Sequence, residues 1–142
     1  MKNRYSTPWQ GSYAEMKFQV AAAEHGLVGA KPWVNFLPYD AIVDNGKRLF
    51  RVQVKSVGVK AMCTYGRGYS VTLRRHSGKA YSRADVDFIA ALVVPRDVWY
   101  IIPVDALEGR DCIYLYPDQR HSRGKFERYK EAWELLGGSA GL

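Results

Sequence analysis

The stretch that decides the fold covers residues 38–55 and reads PYDAIVDNGKRLFRVQVK. Its centre, Asp44-Asn45-Gly46, is one of the strongest short signals for a hairpin turn, and apolar residues alternate with polar ones beyond it. Alternation in the second strand predicts two faces, one with Leu49, Arg51, Gln53 and Lys55 and the other with Phe50, Val52 and Val54. We therefore expect two antiparallel strands with one apolar and one mainly polar face.

Polar side chains are expected to meet at one end of this hairpin. Asp40 lies at the start of the first strand, and Gln53 and Lys55 lie near the end of the second. A pairing centred on the turn places Asp40 roughly opposite Arg51, on the face that carries Gln53 and Lys55. The hairpin therefore predicts that these polar groups converge.

A helix is expected over residues 12–25, upstream of the hairpin. Ser12 is a suitable N-cap, Glu15 completes a capping box, and Gly26 is a natural stop. Helical spacing predicts a core-facing set made of Tyr13, Met16, Val20 and Ala23. Glu15 lies on a different stripe of the helix, so its carboxylate can point towards the same site as Asp40.

The remaining patterns predict a mixed α/β fold in one domain, residues 1–142. Residues 33–37 look extended, 69–75 form a strand, 84–88 form a short helix or turn, 89–94 and 98–104 form two buried strands, and 125–136 form a closing helix. The order of these elements predicts a mixed sheet flanked by helices.

The formal net charge of +7 is distributed unevenly. Residues 58–83 contain no acid and six basic residues, namely Lys60, Arg67, Arg74, Arg75, Lys79 and Arg83. A second basic run covers residues 120–130. Such segments either keep a protein soluble or contact a polyanion, and the tyrosines and glycines between the basic residues (Tyr65, Tyr69 and Tyr81) favour a mobile loop or hairpin that contacts phosphates and sugars. We therefore predict that the six basic residues bind DNA.

Other features predict a cytoplasmic protein with no membrane partner. The longest apolar stretch, residues 88–95, is too short to cross a bilayer, and the N-terminus does not resemble a secretion signal. Cys63 and Cys112 lack metal-ligand spacing and are expected to be packing thiols. Trp33, Trp99 and Trp133 are expected in the core; His25, His76 and His121 are too scattered for a metal site, and Asp87 is expected to bond to a neighbouring turn.

The expected site has the chemistry of a Mg²⁺ centre. The Asp40 carboxylate, the Gln53 amide oxygen and the Val54 carbonyl are hard oxygen ligands, and Glu15 would add another. Lys55 would then stand beside an attacking water, an arrangement suited to hydrolysis of a phosphodiester. Each residue alone has an ordinary structural explanation, so the hypothesis depends on their joint occurrence in this order.

The order Glu15, Asp40 after Pro38-Tyr39, and then Gln53-Val54-Lys55 resembles the PD-(D/E)XK nuclease superfamily. It is most similar to the small branch that includes a group I intron homing endonuclease, in which glutamine replaces the usual acid. The resemblance implies a restriction-endonuclease-like αβββαβ core and metal-dependent cleavage of DNA that leaves a 5′ phosphate. It implies Glu15, Asp40, Gln53 and Lys55 as catalytic residues and Mg²⁺ as cofactor, and we expect Mn²⁺ to substitute.

Cutting both strands of a duplex needs two such sites, so we expect a homodimer or homotetramer. Two alternatives stay open. Because Gln53 is a neutral amide and binds Mg²⁺ less tightly than a carboxylate, the protein can also be a nuclease-fold DNA-binding module that no longer cuts. An adaptor whose basic patch binds an acidic protein is the other alternative.

Overall fold

The computed structural model describes residues 7–63 (backbone only at 60–63), 66–75, 77–119 and 124–142. One α-helix, α1 (Thr7–Glu24), precedes eight strands: β1 (Val28–Ala30), β2 (Ala41–Asp44), β3 (Leu49–Val57), β4 (Lys60–Cys63), β5 (Gly66–Thr72), β6 (Phe88–Val93), β7 (Val98–Pro103) and β8 (Cys112–Leu115). The central sheet has the order β1-β2-β3-β6-β7 and is antiparallel except between β3 and β6. The mixed α/β fold is confirmed.

The hairpin of β2 and β3 forms with a longer loop than the sequence predicts. Asp44 pairs with Leu49, so residues 45–48 form the loop. Asn45 holds this loop together, because its Oδ1 accepts hydrogen bonds from the backbone of Lys47 and Arg48, each 2.9 Å. The predicted register was therefore wrong by two residues. Ala41 pairs with Val52, and the next residue, Asp40, is level with Gln53 rather than Arg51.

The predicted start of α1 was also wrong. The helix is present from Thr7, so Ser12 is an interior residue and the expected capping box does not form. The overlooked signal is Pro8, because proline is favoured in the first turn of a helix, where its missing N–H is not needed. The predicted stop is confirmed: Gly26 adopts a φ of 75°, and the next residue, Leu27, donates to Ala22 O at 3.0 Å.

A different face of α1 is buried from the one expected. The buried residues are Ala14, Phe18, Ala21 and Ala22, whereas Met16 and Val20 are 65% and 59% exposed. The alanines let the helix axis approach the sheet closely, and the ring of Phe18 fills the remaining space against Trp99 and Trp133. Helical spacing alone did not distinguish these two stripes.

Two predicted elements near the surface do not form. Residues 33–37 make no strand, and Trp33, expected in the core, is fully exposed, whereas Trp99 and Trp133 are buried as expected. In place of a closing helix there are two short 3-10 helices, Glu127–Tyr129 and Trp133–Leu136. Glu131 interrupts them with a φ of 52°, because its carboxylate accepts hydrogen bonds from Trp99 N (2.7 Å) and Trp133 Nε1 (2.8 Å).

A second sheet, of order β4-β5-β8, contributes to the apolar cluster on the face of the central sheet away from α1. Within the described residues, the crossover from β3 to the parallel strand β6 contains the β4–β5 hairpin and no α-helix. Tyr69 and Tyr81 are buried, so the expectation that they lie on a mobile loop was wrong; Tyr65 lies outside the described residues.

No helix in the described part of the chain is long and apolar enough to span a membrane.

The buried stripe of α1 predicts how two helix substitutions differ. Phe18→Ala removes a fully buried ring and should lower the free energy of unfolding by about 3–5 kcal/mol. Met16→Ala, two residues away on the exposed side, should change it by less than about 0.5 kcal/mol. Urea unfolding of both variants is the measurement, and an equal loss in the two would contradict the observed orientation of the helix.

Candidate active site

Asp40 and Gln53 come together where β2 and β3 meet. The Gln53 amide Nε2 donates to Asp40 Oδ2 at 2.7 Å, and the backbone N–H of Val54 donates to the same oxygen at 3.0 Å. Gln53 Nε2 also lies 3.3 Å from Val54 O. Asp40 is held in place by its own backbone, whose N–H donates to Val52 O at 2.9 Å. The three oxygen ligands that the sequence predicted on this strand pair, from Asp40, Gln53 and Val54, are therefore neighbours.

Glu15 reaches the same point from α1. Its charge, and a hydrogen bond between the two side chains, act on the carboxyl group of Asp40. Its other partner is Lys31, whose Nζ lies 3.5 Å from Glu15 Oε2. Because Glu15 is in the third turn of α1 and not at its start, its side chain is free from a capping role. The structure therefore brings together both carboxylates that the sequence suggested.

The Asp40 carboxyl group is half-buried and lies next to Glu15, and both conditions change its proton affinity. The pKa of Asp40 is raised from an ordinary 3.8 to about 6, chiefly by burial and also by the charge of Glu15, although the hydrogen bond from Val54 N and the charge of Lys55 lower it. A bound cation between these oxygens would remove the repulsion. The electrostatics are those of an anionic site that favours a positive ligand.

Lys55 projects from the same face of β3, beside a buried tyrosine. Its Nζ lies 5.4 Å from the centre of the Tyr81 ring, within the range of a cation–π contact. Burial lowers the pKa of Lys55, and the charge of Asp40 opposes that change. Burial also raises the pKa of Tyr81 to about 12, so its hydroxyl stays protonated at neutral pH. The ring limits the positions that the ammonium group can take.

The oxygen atoms at this point fit a hard divalent cation if the Gln53 amide and the Val54 carbonyl are counted with the two carboxylates. Within the described residues, no group of three or more His, Cys, Asp or Glu side chains is arranged to hold a metal. A metal here would therefore need the Gln53 amide oxygen and Val54 O in addition to Glu15 and Asp40. In the metal-free structure the Gln53 Nε2 atom faces Asp40 Oδ2 and Val54 O. Rotating the amide group by half a turn would bring its oxygen to this position, where it could bind a cation. Few protein ligands, all oxygen, suit Mg²⁺.

The six basic residues predicted to bind DNA do not form one unpaired patch. Arg74 pairs with Asp111 at 3.2 Å, Arg75 with Asp85 at 2.9 Å and Arg83 with Asp105 at 2.5 Å. The side chains of Arg67 and Lys79 are exposed, and that of Lys60 lies outside the description. The acidic segment that follows in the sequence thus folds against the basic one, which charge counting along the chain does not reveal.

Asp87 has a structural partner on β3. Its Oδ2 accepts a hydrogen bond from Arg51 N at 2.8 Å and pairs with Arg51 Nε at 3.4 Å, so it bonds to β3 rather than to a turn. Arg51 also donates to Ala84 O (3.0 Å) and Arg83 O (2.7 Å). Arg51 shares the polar face of β3 with Gln53, but its donors are used to anchor the segment that precedes β6.

Two small cavities adjoin the carboxylates. One of about 260 Å³ is lined by Glu15, Asp40 and the connecting residues 31–35, and one of about 60 Å³ reaches Val54. A larger cleft, about 540 Å³, lies on the exposed side of α1 between Met16 and Trp99, and none of the candidate site residues lines it. Glu15 and Asp40 therefore border the two smaller cavities and not the larger cleft.

A family model described as PD-(D/E)XK endonuclease matches residues 5–136. The chain therefore belongs to the PD-(D/E)XK endonuclease family. This endonuclease is also similar in structure to a bacterial homing endonuclease, I-Ssp6803I, with 31% identity, a TM-score of 0.77 and coverage of 92% of this chain and 91% of that chain. No curated protein matches the chain at a significant level. The resemblance inferred from Gln53-Val54-Lys55 is thus confirmed.

Two neighbours of the site in this endonuclease were not found from the sequence. Tyr81 was read as part of a basic loop, and nothing in its local pattern indicates that its ring would lie under Lys55. Lys31 lies in a connection without regular structure, and its contact with Glu15 depends on where that connection crosses α1. Both contacts join segments far apart in the chain, so spacing rules do not reveal them.

The raised pKa of Asp40 predicts a pH-dependent gain in stability for Asp40→Asn. Because the folded protein holds this proton more tightly than the unfolded chain, the carboxyl group favours folding at low pH, and that contribution is lost as the pH rises through about 6. Asparagine keeps an oxygen for the donors of Gln53 and Val54 but carries no charge. In metal-free buffer at pH 8 the variant should therefore unfold at a higher temperature than the wild type.

Thermal unfolding between pH 4 and pH 8 is the measurement. The advantage of Asp40→Asn should shrink as the pH falls and vanish near pH 4. Asp44→Asn is the matched control at the exposed end of β2, where the Asp44 carboxylate accepts the turn hydrogen bond from Gly46 N, and it should show no such gain. A variant less stable than the wild type at pH 8 would contradict the electrostatic account.

Proposed function

We propose that this endonuclease hydrolyses phosphodiester bonds of DNA with Mg²⁺, for which Mn²⁺ substitutes, as one domain over residues 1–142 in the cytoplasm. The observation that carries the proposal is the convergence of Glu15, Asp40, Gln53 and the Val54 carbonyl beside Lys55. Neither an isolated turn aspartate nor a solvated Gln-x-Lys pair would bring these groups together. Membership of an endonuclease family supports the same reaction.

Each residue has a separate task in the proposed reaction. Asp40 and Glu15 provide negative charge, and Gln53 and Val54 provide neutral oxygens, so together they would hold the cation. When bound, Mg²⁺ lowers the pKa of water and neutralises charge on the phosphate. The ammonium group of Lys55 donates hydrogen bonds to a non-bridging phosphate oxygen or to the attacking water. Because Tyr81 restricts the Lys55 side chain, this donor is oriented before the substrate arrives.

Assembly and DNA contacts follow from the same proposal. One chain has one such site, so cutting both strands requires a homodimer or homotetramer. Arg67 and Lys79 have exposed side chains, and the ion-paired Arg74, Arg75 and Arg83 would exchange carboxylates for phosphates on binding. Lys60 completes the set predicted from the sequence. The similarity to I-Ssp6803I favours a homing-type activity over restriction or repair.

The alternative that the site itself suggests is a DNA-binding module that no longer cuts. It is favoured by Gln53, whose amide contributes no charge to the cation, and whose nitrogen already satisfies Asp40 at 2.7 Å. The two functions share the fold and the affinity for DNA. They differ in whether a divalent metal produces broken strands.

Cleavage of supercoiled plasmid over a Mg²⁺ and Mn²⁺ titration tests the proposal. Lys55→Ala and Asp40→Asn should each lower the rate by about 100-fold or more, as expected when a donor or a metal ligand in the transition state is removed. Lys47→Ala is the matched control, because Lys47 lies in the loop at the opposite end of the same hairpin. It removes an equal charge and should cut at close to the wild-type rate.

Three results are informative. Metal-dependent cutting that is lost in both site variants and kept in Lys47→Ala supports the endonuclease and its site. Binding of DNA by the wild type without cutting in either metal favours the inactive module. Cutting that survives in both site variants would place the reaction elsewhere in the chain.

A further inference from the structure

The connection between β1 and β2 presents large apolar side chains to solvent beside the candidate site. Trp33 is 104% exposed, Phe36 is 79% exposed and Val34 is 45% exposed. Pro32 and Pro38 flank residues 33–37, which carry these side chains, and restrict the backbone there. We call residues 31–37 the rim segment. Exposure of a complete tryptophan side chain, next to a second aromatic one, is typical of a binding surface and not of a solvated turn.

Both ends of the rim segment are fixed to the site. At one end, Lys31 Nζ lies 3.5 Å from Glu15 Oε2. Three residues past the other end, Leu37, the backbone N–H of Asp40 donates to Val52 O at 2.9 Å. Trp33 and Val34 line the same cavity of about 260 Å³ as Glu15 and Asp40. Trp33 therefore lies at the edge of the site, and Phe36 is exposed in the same segment.

The position of the rim segment decides what covers it. A duplex whose major groove alone is about 12 Å wide cannot enter a cavity of this size, so a phosphate at Asp40 leaves the flanking sugars and bases outside, against its walls. The wall with Trp33 is then next to the nucleic acid, and the exposed Phe36 follows three residues later in the same segment. A second protein copy seated on Trp33 would instead lie over Glu15 and Asp40 and exclude the substrate. DNA is the occupant that lets the site work.

We propose that the rim segment is a DNA-contacting element whose Trp33 and Phe36 pack into the groove of the duplex beside the phosphate to be cut. The inference rests on the proposed function, since it takes DNA as the substrate of the site. Apolar side chains in a groove separate neighbouring bases and bend the duplex. Trp33 and Phe36 thereby press the duplex towards the carboxylates, while Lys31 stays close enough to Glu15 to meet a phosphate.

The test compares two exposed tryptophans. Trp33→Ala removes the proposed contact, and Trp9→Ala is the matched control, since Trp9 is also exposed but lies near the start of α1 and lines none of the cavities described around the site. A labelled duplex of about thirty base pairs and mixed sequence is the probe, with Ca²⁺ in place of Mg²⁺. Fluorescence anisotropy gives the Kd, and tryptophan emission reports contact with bases.

We expect Trp33→Ala to weaken DNA binding about tenfold or more, in line with the loss of one aromatic contact to bases. Trp9→Ala should bind like the wild type. DNA should quench the tryptophan emission of the wild type and of a Trp9→Phe variant, and most of this quenching should be lost in Trp33→Phe. Because Trp33 is fully exposed, none of these changes should come from unfolding, which circular dichroism of each variant checks.

Three results would overturn the inference. Wild-type affinity and undiminished quenching in the Trp33 variants would remove the rim segment from the DNA interface. A change in sedimentation with unchanged DNA affinity in Trp33→Ala would show that the segment binds a second copy of the chain. If the wild type neither binds the duplex in Ca²⁺ nor cuts plasmid in Mg²⁺ or Mn²⁺, the proposed function itself fails, and this result is distinct from the other two.

Discussion

The hydrogen bonds that Asp40 Oδ2 receives from Val54 N and Gln53 Nε2, at 3.0 and 2.7 Å, are the interaction on which the site depends. They tie the first residue before β2 to the middle of β3. Because β3 also pairs with the buried strand β6, the point where they meet is fixed to the centre of the sheet. The same register that buries Val52 and Val54 against α1 turns Gln53 and Lys55 to the opposite, polar face. Core packing and site geometry therefore have a single cause.

The site is costly to the fold that carries it. Asp40 is half-buried next to Glu15, and both burial and the second carboxylate raise its pKa to about 6. A chain under selection for stability alone would place a neutral residue there. Gln53 donates a hydrogen bond from its amide to Asp40 Oδ2 at 2.7 Å and adds no negative charge beside the two carboxylates.

Patterns within a few residues of sequence predicted the features that depend on local interactions, such as turns, strand faces and helix ends. The hairpin, the alternation of Phe50, Val52 and Val54, and the stop at Gly26 were confirmed, although the hairpin loop covers residues 45–48 and not Asn45-Gly46 alone. The family indicated by Gln53-Val54-Lys55 was confirmed as well. Features set by distant contacts were not predicted. Glu131 breaks the expected last helix because Trp99 and Trp133 bind its carboxylate, and the ion pairs of Arg74, Arg75 and Arg83 neutralise a basic patch. Trp33 was expected to pack in the core or against a helix because its neighbours in the sequence are apolar, but it is fully exposed.

Binding of Mn²⁺ to the DNA-free protein, followed by electron paramagnetic resonance, tests the central claim most directly, since it does not require a cognate DNA sequence. The account predicts one Mn²⁺ per chain with an affinity that rises as the pH increases through about 6, where Asp40 gives up its proton. Gln53→Glu should bind the ion more tightly, and Asp40→Asn should bind it far more weakly. Mn²⁺ binding that is unaffected by either substitution, or that is absent in the wild type and in Gln53→Glu at every pH, would contradict a metal centre formed by these residues.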